Sequence, residues 1–142
     1  MKKFLAISLI SIVAIFTVAC GSDTATSGSA GKAIKSAPAG NNLTATLSSA
    51  DGLMRKGKQI FTLSFTDQSG KPVNVGAAAL NFHMPAMGTM AVMNNPATLT
   101  TTATPGVYQG TTDLEMGGEW QAQISYEGPA GTGKANISMV AQ

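Results

Sequence analysis

The sequence predicts an all-β fold, an immunoglobulin-like antiparallel β-sandwich of about seven strands. Three observations carry this. Apolar and polar residues alternate by two in several short runs. Turn-forming residues separate those runs at the spacing of a sandwich. No long stretch shows helical periodicity with caps.

The strands follow in order. "NLTATLSS" places Leu43, Ala45 and Leu47 on one face. "IFTLSFTD" does the same with Phe61, Leu63 and Phe65. "ALNFHM" offers Leu80, Phe82 and Met84. "ATLTTTA" and "GVYQGTT" are weaker strands. "WQAQISYE" alternates Trp120, Ala122, Ile124 and Tyr126 with glutamines and a serine, and "ANISMV" offers Ala135, Ile137 and Met139. The breaks fall at Asp51-Gly52, Ser69-Gly70-Lys71-Pro72, Thr104-Pro105-Gly106, Met116-Gly117-Gly118 and Gly128-Pro129.

Residues 1–19 read as an address. Lys2 and Lys3 precede an apolar run from Phe4 to Val18, too short for a comfortable membrane span. The run ends in Thr17-Val18-Ala19-Cys20-Gly21, which resembles the lipobox of bacterial lipoproteins, with Thr17 a departure from it. That resemblance implies cleavage before Cys20, lipid on Cys20 and attachment to the membrane. The protein is then lipid-anchored in the cell envelope: on the outer membrane facing the periplasm, where Gly21 favours it, or on the surface of a cell with one membrane. Residues 20–41, rich in Gly, Ser, Ala and Thr, are expected to be a flexible tether letting the domain roam roughly 25 Å. Residues 42–142 are then one domain.

Charge and cysteine content exclude several classes. Without Lys2 and Lys3, seven basic residues face seven acidic ones, and no basic surface argues for nucleic acid. Cys20 is the sole cysteine and would be acylated, which leaves no usable thiol, so disulfides and thiolate metal sites are excluded. "GPAGTGKA" at 128–135 nearly spells a phosphate-binding loop. It puts Ala135 where Ser or Thr must hold magnesium and lacks room for the following helix, so it reads as a hairpin loop. No set of side chains makes a catalytic constellation, and the protein is expected not to be an enzyme.

One stretch stands apart. "NFHMPAMGTMAVM" holds Met84, Met87, Met90 and Met93 behind His83, the only histidine. Pro85 and Gly88 oppose a helix, and a spacing of three cannot share one face of a strand, so residues 85–93 are expected to be a loop where sulfurs converge. Thioether is a soft, uncharged donor that selects Cu(I), with imidazole a compatible partner. The candidate ligands are His83, Met84, Met87, Met90, Met93 and Met116, with Met54 a further possibility and Met84 equally suited to the core. The competing reading is an apolar packing or docking patch, since methionine is also an adaptable hydrophobe.

Three motifs in order resemble the YtkA-like family, related to FixH-like proteins. Asp67-x-x-Gly70-Lys71-Pro72-Val73 comes first, then Met84-Pro85-Ala86-Met87. Gly106-x-Tyr108-x-Gly110 follows, with Leu114, Met116, Gly118 and Trp120 downstream. The resemblance spans roughly residues 50–127. It implies an extracytoplasmic β-sandwich, often membrane-anchored, of a kind associated with copper handling, cytochrome oxidase assembly and metal efflux, whose partners would lie in the envelope. Met84, Met87 and Met116 match the motif methionines; His83, Met90 and Met93 are additional here.

Overall fold

Alternation by two is what these strands need, because every strand of a two-layer sandwich has one buried face. The computed structural model describes residues 31–142, and all regular structure among them is β. The leader and Cys20 lie outside the described residues. Nine strands form: β1 (Lys32–Gly40), β2 (Leu43–Ser49), β3 (Gly57–Thr66), β4 (Ala77–Met84), β5 (Met93–Pro96), β6 (Thr98–Thr101), β7 (Val107–Leu114), β8 (Gly118–Gly128) and β9 (Gly131–Ala141). They make a five-stranded sheet, β1-β2-β3-β7-β6, and a four-stranded sheet, β5-β4-β8-β9. Apart from β1, this is the immunoglobulin strand order with one added edge strand on the smaller sheet. Among the described residues no helix is long and apolar enough to cross a membrane.

The seven strands expected from alternation are all present, and two more join them. One corrects the tether. Residues 32–40 are β1, paired antiparallel with β2 from Lys32–Ser49 to Gly40–Leu43. An edge strand is held by backbone bonds on one side, so it needs little apolar alternation. Ala39 is its single fully buried side chain. The other addition is β5, four residues long and polar, which pairs with β4. Beyond Pro96 the chain leaves the smaller sheet and continues in the larger one as β6.

The core is built from the residues the alternation named. Phe61 meets Phe82 across the two sheets edge-to-face at 5.6 Å, an arrangement worth about 0.5–1.5 kcal/mol beyond area burial. Gly110 lies under the Phe61 ring, where a Cβ would sit 2.2 Å from it. Phe65 packs edge-on against Tyr108 and Tyr126. The Tyr108 hydroxyl donates to the Gly76 carbonyl, and burial pushes that hydroxyl above its usual value. The 128–135 segment is the β8–β9 hairpin, with Gly128 opposite Gly131.

The two ends of the sandwich differ. At one lie the Asp67 turn, the Gly40–Leu43 turn and the β8–β9 hairpin. At the other lie the 50–56 loop, the Met116 turn and the methionine segment. The Asp67 turn is closed by its own carboxylate, which accepts from Ser69 Oγ at 2.6 Å, Ser69 N at 2.8 Å and Lys71 N at 3.1 Å.

Candidate functional site

The methionine segment is a β-hairpin. Asn81, Phe82, His83 and Met84 of β4 face Pro96, Asn95, Asn94 and Met93 of β5. Further out, Met87 and Met90 exchange both backbone bonds, Met87 N–H to Met90 O at 3.2 Å and Met90 N–H to Met87 O at 2.9 Å. These pairs share one register, mirrored about a two-residue turn at Gly88-Thr89. Gly88 takes φ +58°, the left-handed region such a turn requires. Between the paired stretches Pro85 has no N–H to donate, so the ladder lapses there. The loop expected over 85–93 is therefore a mirror-symmetric hairpin. The spacing of three reflects two nested cross-strand pairs, Met84 with Met93 and Met87 with Met90.

The pairs differ in surroundings. Met84 points inward and is 2% exposed, taking the core alternative. Its Cε lies 3.3 Å from where a Gly118 Cβ would be, so the Met116 turn sits beside it. Met93 is half-buried on the same inner face. Met116 is half-buried against the core, and its carbonyl accepts from Trp120 Nε1 at 3.1 Å. Trp120 and Met54 are interior side chains. Met87 and Met90, by contrast, are 50% and 37% exposed at the tip. The structure thus divides the candidate methionines between a packed base and an open tip.

His83 lies on the outer face of the smaller sheet, in a row with Asn94 on β5, Gln121 on β8 and Ser138 on β9. Its Nδ1 is 3.0 Å from Asn94 Oδ1. That oxygen also accepts from Asn81 Nδ2 at 3.1 Å, and Asn81 Nδ2 reaches Gln123 Oε1 at 3.4 Å. A carboxamide oxygen only accepts, so Nδ1 is the donor in this contact, and in the uncharged ring the lone pair falls on Nε2. A backbone or side-chain oxygen on the far nitrogen is how metal-binding imidazoles are usually oriented. Pro85, two residues on, lies on the same outer face, in a shallow depression with Glu119, Gln121 and Ser138. Sequence reasoning missed Asn94. Its signal is the polar Asn94-Asn95 pair after Met93, which the mirrored hairpin sets opposite His83 and Phe82.

Among the described residues no three His, Cys, Asp or Glu side chains gather as metal ligands. A metal site here has to be built on thioethers. Met87 and Met90 are paired donors of that kind at the tip, and His83 stands further down the same hairpin, opposite Asn94.

A family model described as YtkA-like matches residues 38–125. The chain belongs to the YtkA-like family. The match takes in the methionine hairpin, the Met116 turn and the turn closed by Asp67. In this YtkA-like domain most motif residues serve the scaffold. Asp67 closes a turn, Tyr108 ties β7 to Gly76, Gly110 admits the Phe61 ring, and Trp120 holds the Met116 carbonyl. Met87 is the motif methionine that stands open to solvent. No curated protein and no solved structure gives a significant match to the chain.

Proposed function

We propose that this YtkA-like protein is a lipid-anchored, extracytoplasmic Cu(I)-binding module of the cell envelope that buffers copper or passes it to an envelope partner. The observation that carries the reading is the exposed cross-strand pair Met87–Met90 on a hairpin that also bears His83, whose Nδ1 is engaged by Asn94. In this reading the two tip thioethers are the principal donors. His83 Nε2 and the half-buried Met93 are further donors on the same hairpin, while Met84 and Met116 pack its base. Thioethers need no deprotonation and do not form disulfides, which suits a soft-ion site in an oxidising compartment. No catalytic step enters this function. Family membership supports an envelope role, and the Cys20 segment supports anchoring.

The second reading is a docking surface for an envelope protein. It is favoured by Val92, 50% exposed beside the tip methionines. One experiment separates the two. The purified protein is titrated with Cu(I) against a competing chelator, alongside His83→Ala and a Met87→Leu/Met90→Leu/Met93→Leu variant. Leucine keeps the apolar surface and removes sulfur. Loss of binding in a folded triple variant supports the copper site. Absence of chelator-competitive binding by the wild type overturns it and leaves the docking reading.

A further inference from the structure

The hairpin tip and the N-terminal end of the described chain share one pole of the sandwich. Lys32 opens β1 opposite Ser49, and its side chain lies over Gly52. The 50–56 loop joins the end of β9 through the Met54–Ala141 bridge and the bond from Gln142 N–H to Met54 O. Ala141 pairs with Gly118, and Gly118 contacts Met84 at the base of the hairpin. Lys35 of β1 lines the same depression as Pro85 and Val140. Each link is a direct contact, so the chain enters the domain at the methionine pole.

The tip is also unusual in composition. Residues 85–92, "PAMGTMAV", are all exposed and none is charged. Ile60, Val140 and Leu53 are exposed singly elsewhere, whereas this is a continuous run, which requires an apolar partner or tolerates water at a cost.

We infer that this pole faces the phospholipid bilayer and that residues 85–92 contact it. Ten residues, 21–30, lie between Cys20 and Gly31, and the eleven Cα–Cα steps across them span at most about 40 Å. The eleven-residue strands that set the domain's length rise roughly 36 Å. The tether joins the domain at the methionine pole, and the Asp67 pole sits a domain length from that junction. Lys35 shares its depression with Pro85 and with Glu119, so the uncharged tip and not a basic flank is what suits a lipid surface. The occupant is lipid because the chain leading toward the anchor leaves from this pole and not the other. The inference rests on the envelope anchoring proposed above; it needs no bound copper, although it uses the same tip side chains.

The test uses the full-length protein in vesicles of phosphatidylethanolamine with a minority of phosphatidylglycerol, doped with a diazirine-bearing phospholipid. After illumination, lipid adducts are mapped by peptide mass spectrometry. Adducts on residues 84–93 are expected several-fold above those on the 66–73 turn at the opposite pole. Met87→Ser/Met90→Ser/Val92→Ser should bring them down to that background with the fold intact. Equal labelling of the two poles overturns the inference while leaving anchoring in place. A protein that does not stay with the vesicles overturns both. Neither result bears on the Cu(I) titration, which reads a different property.

Discussion

Asn94 Oδ1 sits 3.0 Å from His83 Nδ1, across the two strands of the methionine hairpin. Asn81 donates to that oxygen from its own amide, and the same nitrogen reaches Gln123 Oε1. The neutral His83 ring is therefore expected as the Nδ1–H tautomer. Long-range proton–nitrogen correlation spectra will read this directly. Asn94→Leu should let the Nε2–H form take over, and Asn94→Asp should restore the original tautomer. Cu(I) affinity should fall about 10–100-fold in Asn94→Leu, the usual cost of removing such an orienting partner. A wild-type ring protonated on Nε2 would refute the arrangement.

Met84 and the tip methionines should respond oppositely to substitution. Met84→Ala empties a core site and is expected to cost about 2–5 kcal/mol in denaturant unfolding. Met84→Leu conserves volume and should cost less than about 1.5 kcal/mol with Cu(I) affinity kept. Met87→Leu and Met90→Leu should shift stability by under about 0.5 kcal/mol while weakening Cu(I) binding.

Gly110 has no room for a side chain. A Cβ there would overlap the Phe61 ring, and the ring is held in turn by Phe82 from the opposite sheet. Gly110→Ala is expected to destabilise by about 1–3 kcal/mol through overpacking. At roughly 4–8 °C per kcal/mol for a domain of this size, calorimetry resolves it.

The Asp67 carboxyl is held below its ordinary value of 3.8, first by the Ser69 hydroxyl and then by the Lys71 amide. A carboxyl with a lowered folded value stabilises the fold fully above its unfolded value and loses that contribution as pH falls through the folded one. Wild-type stability should therefore exceed that of Asp67→Ala near neutrality, and the two should converge at the acid end of a urea-unfolding series. A difference that persisted unchanged into acid would contradict the turn's role.

Strands that bury a full face announce themselves in sequence. Phe61, Leu63 and Phe65, or Trp120, Ala122, Ile124 and Tyr126, repeat by two because each must meet the opposite sheet. β1 and β5 were illegible for the complementary reason. Ala39 is all that β1 buries fully, and "MNNP" only half-buries Met93 and Asn95, so backbone pairing holds them with little side-chain signature. The methionine spacing was visible but not its meaning. A period of three along one strand says little, whereas the same residues folded back about Gly88-Thr89 become partners. Which of them face water depends on where the sandwich ends, and that is a property of the assembled sheets.

Pro38 in β1 and Pro96 in β5 each remove a donor from a sheet margin. A bare margin is a template on which a neighbouring molecule can add a strand, and proline is one of the residues that blunts it. On the proposed lipid anchor, molecules confined to a two-dimensional surface would meet far more often than in free solution. Two imino acids at the borders then guard against runaway strand-by-strand polymerisation under that crowding, leaving the protruding hairpin as the sociable part of the molecule.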